Sequence, residues 1–199
     1  MPSSTPLDPP NLDTTVLIIG AGIGGLTLAA TLRRLSIPCI VLERFDKITP
    51  VGAGISLAPN CLPALSQLGL LPTIAANSQE LKKIRIHREN SEWKTLNWDL
   101  CKQWFGYNVY SIERHEFHNL LYEAAGKEET VRLGCAVEDI VDDARLPYVT
   151  VKMNGGRELR AQVVVGADGI RSVTRRIVSY WIRLLSCVVS VPPTLCTTG

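Results

Sequence analysis

The chain has 199 residues, enough for one complete domain or one and a fraction at ~150 residues per domain. Its content of 46% hydrophobic and 20% charged residues excludes disorder over the whole length, and a net charge of +2 with no basic stripe argues against a nucleic-acid partner. No apolar run reaches the ~18 residues of a membrane-spanning helix, because Arg183 interrupts the longest candidate, Trp181 to Val191.

Residues 1–13 are rich in Pro and Ser, contain no Arg and have no apolar core segment, so they are expected to be a disordered leader rather than a signal or transit peptide. The six cysteines are irregularly spaced with no C-x-x-C pair, which fits free thiols in a reducing, cytoplasmic setting. His115 and His118 are three residues apart, but no Cys, Asp or Glu completes a ligand set at suitable spacing, so no metal is expected.

Thr15–Ile19 is an uninterrupted β-branched and aliphatic run, as in a strand buried on both faces of a parallel sheet. It enters Gly20-Ala21-Gly22-Ile23-Gly24-Gly25, after which Leu26, Leu28, Ala29, Ala30, Leu32 and Leu35 recur at helical spacing. Pro38 follows, and Ile40–Glu43 reads as a second buried strand, which completes a β-turn-α-β unit. The glycine-rich stretch Gly52–Asn60 leads into a predicted helix up to Leu68, capped by Gly69.

From Ile84 to Tyr110, alternation around Glu89-Asn90-Ser91 predicts a hairpin outside the parallel sheet, with the tryptophans of 93–104 read as core or sheet packing. Arg114–Ala125 is predicted helical, and Val131–Val137 and Val149–Met153 are predicted strands. Asn154-Gly155-Gly156 is a turn, and Gln162–Val165 a further buried strand that ends in the loop Gly166–Gly169.

Each glycine of Gly20-x-Gly22-x-x-Gly25 has a physical task. The first permits a tight turn, the second lets a pyrophosphate reach the backbone, and the third lets helix and sheet pack closely. The helix N-terminus then offers N–H groups and partial positive charge to phosphates. Glu43 stands 18 residues after Gly25, where a carboxylate can accept from ribose hydroxyls. These features indicate dinucleotide binding without separating FAD from NAD.

The segment Val164-Val165-Gly166-Ala167-Asp168-Gly169-Ile170-Arg171-Ser172-Val173-Thr174-Arg175 resembles the Asp-Gly motif of the single-component FAD-dependent aromatic hydroxylases. Only Thr174 departs, where that family usually carries an apolar residue. Val51–Asn60 with Leu68-Gly69-Leu70 resembles the salicylate-hydroxylase-like branch common in fungal secondary metabolism, and Ile112-Glu113-Arg114 resembles the family's third cofactor contact.

The resemblance implies an α/β fold: a Rossmann-like parallel FAD-binding sheet with helices, plus part of a second, antiparallel sheet. It implies FAD as cofactor and NAD(P)H and O2 as co-substrates, with one oxygen atom passing to an aromatic or polyketide-like small molecule. Gly20, Gly22 and Gly25 would hold the pyrophosphate and Glu43 the adenosine ribose. Ala53 and Gly54 would lie along the flavin side, Arg114 near the phosphates, and Asp168 and Gly169 against the cofactor. No side chain for the oxygen transfer itself can be named.

The resemblance spans 14–177, with the 84–110 hairpin as a partial substrate domain, and composition shifts at Val178. Residues 178–199 carry no family likeness and no Gly-Asp motif follows, so a truncated or mis-spliced product is expected. Val178-Ser179 is what a common intron donor encodes when read through in frame. Such a product would be a poor hydroxylase. The rival readings are an inactive FAD-binding fragment and another flavin-dependent oxidoreductase of the same superfamily.

Overall fold

The computed structural model describes residues 11–48, 52–89, 91–143, 145–178 and 188–190. Residues 1–10, most of the stretch expected as a leader, and most of the stretch after Val178 lie outside the described residues. In chain order the elements begin with β1 (Thr14–Ile19), α1 (Ile23–Arg34), β2 (Cys39–Leu42), β3 (Gly54–Leu57), α2 (Leu62–Gln67) and α3 (Leu71–Ala76). There follow β4 (Gln79–Leu81), β5 (Lys83–Arg88), β6 (Ser91–Asn97), α4 (Asp99–Phe105), β7 (Val109–Glu113) and α5 (Arg114–Ala125). The last are β8 (Val131–Arg132), β9 (Val137–Asp142), β10 (Val149–Met153), β11 (Arg157–Gly166), α6 (Val173–Val178) and β12 (Val188–Ser190). The chain divides into two units, one of residues up to Ile48 and from Leu121 onward, the other Thr49–Leu120.

In the first unit the sheet runs β8-β2-β1-β11-β10-β9, with β12 against the end of β11. The strands β8, β2, β1 and β11 are mutually parallel, and β10 and β9 extend the sheet antiparallel. Leu17 and Ile18 point to opposite faces and both are fully buried, which is why β1 reads as an unbroken apolar run. One face packs Leu17, Leu42, Val149, Val151 and Val164 into a single cluster. Burying each such side chain contributes about 1.5–3 kcal/mol. α1 buries Leu26, Ala29 and Ala30.

Three sequence expectations need correction in this unit. The strand expected over Val131–Val137 is two short strands broken at Gly134, whose φ is +65°. Here the chain leaves the ladder to brace the end of β2: the Gly134 N–H donates to the Phe45 carbonyl at 3.0 Å and the Cys135 N–H to the Glu43 carbonyl at 2.7 Å. Secondly, β11 begins at Arg157, not Gln162, because its first half pairs antiparallel with β10 before its second half joins β1. Thirdly, Asp13, placed at the end of the expected leader, is tied to β11 by accepting the Arg160 N–H at 2.8 Å.

In the second unit β3 and β4 flank β7, all antiparallel. α2 ends as expected at Gly69, whose φ of +77° lets the Leu70 N–H return to the Leu65 carbonyl at 2.9 Å. The hairpin is narrower than the expected 84–110. β5 and β6 pair with Ile84 opposite Leu96, whereas Asp99–Phe105 is helical and Val109–Glu113 belongs to the β7 sheet. Trp93 and Trp104, expected to pack, are 67% and 68% exposed. Every residue of β6 is exposed, so no layer among the described residues covers either face of that ribbon. Among the described residues no helix is long and apolar enough to cross a membrane, and Cys39, Cys61, Cys101 and Cys135 are free thiols.

Candidate cofactor site

β1 ends at the sheet's carboxyl edge and turns through Gly20 into α1. Gly20 has φ +105°, and a Cβ there would stand 2.6 Å from the Ala167 carbonyl oxygen at the end of β11. Glycine is therefore required twice over, by backbone conformation and by the neighbouring strand. A Cβ on Gly25 would stand 2.0 Å from the Gly20 oxygen, so that glycine is the seat on which the turn folds back. Gly22 is different. Its backbone is ordinary (φ −75°, ψ −179°), and a Cβ there would meet nothing within 4 Å. The space in front of Gly22 is open, at the N-terminus of a helix with no acidic residue in its first turn. That combination fits a phosphate.

Glu43 stands at the end of β2, beside this turn. Its Oε2 accepts the Ala21 N–H at 2.8 Å and its Oε1 accepts the Phe45 N–H at 3.1 Å. A cleft of about 410 Å³ opens between the strand ends, with Gly20, Gly22, Glu43, Ala136, Asp168 and Gly169 among its lining residues. Arg44, Phe45 and Arg171 also line it, and the Arg44 guanidinium lies 4.7 Å from the centre of the Phe45 ring.

Asp168 follows β11, and its carboxylate is directed at α6. Oδ2 accepts the N–H groups of Val173 at 2.7 Å and Thr174 at 3.1 Å, and Oδ1 accepts the Ser172 hydroxyl at 2.6 Å. The Ser172 oxygen in turn accepts the Arg175 N–H at 2.8 Å. The first three N–H groups of α6 are thus satisfied by two side chains. The Arg175 guanidinium donates to the Gly169 carbonyl at 3.1 Å, which holds that backbone from the other side.

Of the residues singled out from the sequence, Gly20, Gly22, Glu43, Asp168 and Gly169 line one cleft, with Gly25 supporting its turn. Ala53, Gly54 and Arg114 are gathered in the second unit. There the Arg114 N–H donates to the Ala53 carbonyl at 2.9 Å, and the Arg114 Cδ would lie 2.9 Å from a Cβ on Gly52. A cavity of about 810 Å³ in that unit is lined by Ala53, Gly54, Ser78, Ser111 and Glu113.

The sequence motifs assign no role to Arg44, Phe45 or Ala136, and name Arg171 only as part of the Asp-Gly segment, yet all four line the cleft. A cation and an aromatic directly after the acidic end of a parallel strand were a legible signal for the first two. Ala136 offered none, because it reaches the cleft only through the bend at Gly134.

A family described as FAD binding domain matches residues 13–184. Among curated proteins, the chain is 58% identical over 171 residues to the FAD-dependent monooxygenase pytG of Aspergillus terreus, covering 84% of this chain and 50% of that protein. It is 49% identical over 166 residues to the FAD-dependent monooxygenase pynG of Aspergillus niger, covering 83% of this chain and 38% of that protein. Among solved structures, Klebsiella pneumoniae HpxO complexed with FAD and uric acid superposes with a TM-score of 0.72 at 26% identity, over 81% of this chain and 41% of that one. The chain therefore spans half or less of the length of these relatives.

Proposed function

The chain belongs to the FAD-binding domain family matched over residues 13–184, and from that membership we propose that it is the cofactor-holding part of an FAD-dependent monooxygenase acting on an aromatic or polyketide-like small molecule with NAD(P)H and O2. The observation that carries the reading is the contrast among three glycines. Gly20 and Gly25 are closed in by backbone, whereas Gly22 faces open space at the start of α1. A turn built only for packing has no need of a glycine at an unstrained, unobstructed position. A turn that must admit a phosphate does.

In this reading Gly20, Gly22 and the first N–H groups of α1 bind the pyrophosphate, and Gly25 sets their direction. Glu43 accepts from the adenosine ribose hydroxyls with a carboxylate already oriented by the Ala21 and Phe45 N–H groups. Because the Asp168 carboxylate is occupied by α6, Asp168 and Gly169 serve the cofactor through their backbone. Arg114 offers its guanidinium to phosphate, and Ala53 and Gly54 offer backbone along the flavin. FAD, when bound, supplies the redox chemistry, accepting a hydride from the nicotinamide and activating O2 for transfer of one oxygen atom to an electron-rich ring. The aromatic substrate class is supported by the name of a relative from Streptomyces cremeus, 3-amino-4-hydroxybenzoate 2-monooxygenase, to which the chain is 35% identical over 173 residues.

Titration of the 199-residue chain with FAD, followed by calorimetry and flavin fluorescence, tests the reading. One equivalent bound, with ADP competing, is the expected result. Failure to take up either FAD or ADP would overturn it.

A further inference from the structure

Thr174 is the one position at which the Asp-Gly segment departs from its family pattern, and it is only 2% exposed. A buried hydroxyl needs a partner. Thr174 Oγ1 donates to Asp168 Oδ2 at 3.2 Å, so that one oxygen receives this hydroxyl and the N–H groups of Val173 and Thr174. The other end of the same side chain packs on Gly166: a Cβ there would lie 2.6 Å from Thr174 Cγ2.

Thr174 thus touches both ends of the three-residue segment Gly166-Ala167-Asp168, with its methyl nearest Gly166 and its hydroxyl bonded to Asp168. The residue between them is the one that meets the phosphate turn. Ala167 donates its N–H to the Ile19 carbonyl at 2.7 Å, and its own carbonyl oxygen is the atom that closes in Gly20. An apolar side chain at 174 would fill the space over Gly166 but leave the Asp168 end held by one donor fewer.

We propose that Thr174 is a positioning residue for pyrophosphate binding, acting through Asp168 and Ala167 to fix the β11 end against Gly20. The inference rests on the FAD-binding reading and deepens it.

The test uses the 199-residue chain with two variants. Thr174→Val keeps the methyl over Gly166 and removes the hydroxyl, and Thr174→Ser does the reverse. FAD and ADP are titrated by calorimetry well below the unfolding transition, and thermal midpoints are recorded without ligand. Loss of one buried hydrogen bond should weaken both ligands about three- to tenfold in Thr174→Val. Thr174→Ser should bind within about twofold of the parent, although the lost methyl lowers its melting midpoint. Separation of affinity from stability is the signature that a purely structural role would not produce.

Unchanged affinity in Thr174→Val, or equal weakening in both variants, overturns the inference while leaving cofactor binding in place. A parent chain that binds neither FAD nor ADP overturns both. Should Thr174→Val not fold, Thr174→Ala is titrated in its place with the same expected loss.

Discussion

The Glu43 carboxylate accepts the Ala21 N–H at 2.8 Å, so the end of the second strand is hydrogen-bonded to the turn that leaves the first. The end of β2 and the turn after β1 therefore hold each other in register. Glu43 has this structural part besides the ribose-binding part proposed for it, and each can be measured separately.

Glu43→Ala should weaken FAD binding by about 1–3 kcal/mol, since ribose hydroxyls lose a charged acceptor. Calorimetry reads this directly. Unchanged affinity would remove Glu43 from the site, whatever happened to the melting temperature.

Gly22 and Gly25 should fail in opposite ways. Gly22→Val places its branches in open space on an ordinary backbone, so folding should cost at most about 1 kcal/mol while FAD binding drops below detection. Gly25→Ala puts a carbon 2.0 Å from the Gly20 oxygen and should destabilise the fold by about 3 kcal/mol. Urea denaturation paired with FAD titration distinguishes them, and a Gly22→Val chain that still retains FAD would contradict the phosphate assignment.

Ser172→Ala should cost about 1 kcal/mol of stability, the usual value of a helix N-cap, because the Arg175 N–H loses its acceptor. The Asp168 carboxylate would lose one donor by the same change. Chemical denaturation of parent and variant measures the difference, and coincident transitions would show that Asp168 alone suffices to start α6.

Burial pushes the Cys39 thiol above its ordinary range, with Arg33 pulling weakly the other way. The neutral thiol is therefore favoured in the folded chain. Its contribution to stability is complete below the ordinary thiol range and is lost as pH rises through the folded value. Alkylation of Cys39, followed by mass spectrometry across pH, should set in at higher pH than in denaturant. Matching profiles would disprove the effect.

What was legible in the sequence was whatever rests on local chemistry. The apolar run of β1, the turn at Gly20, the Gly69 cap and the span of α5 all follow from short-range patterns, and the structure has them where those patterns put them. What was not legible depends on distant partners. Nothing near Gly134 announces that its N–H is needed by Phe45, and nothing in Arg157–Ala161 reveals that β10 claims that half of β11. Trp93 and Trp104 misled for a related reason: aromatic alternation signals a ribbon, but not whether a second layer lies over it. The role of the Asp168 side chain was hidden because an Asp-Gly pair after a strand looks the same whether its carboxylate turns to a ligand or to the next helix.

The pairing of β1 with β11 joins Thr14 to Ala161 and Ile19 to Gly166, roughly 150 residues apart along the chain, a separation that slows folding because a long loop must close before any contact rewards it. The Gly20–Gly25 turn is synthesised early, yet the carbonyl that fits against Gly20 arrives only with Ala167. Until then the turn is held only from the β2 side, by Leu42 and Glu43. Nucleotide capture is accordingly a late event in the chain's history, following the closure of the sheet rather than guiding it. Stopped-flow refolding should show a main phase whose rate is indifferent to added FAD, and acceleration by FAD would mean that the turn is competent before its neighbour strand arrives.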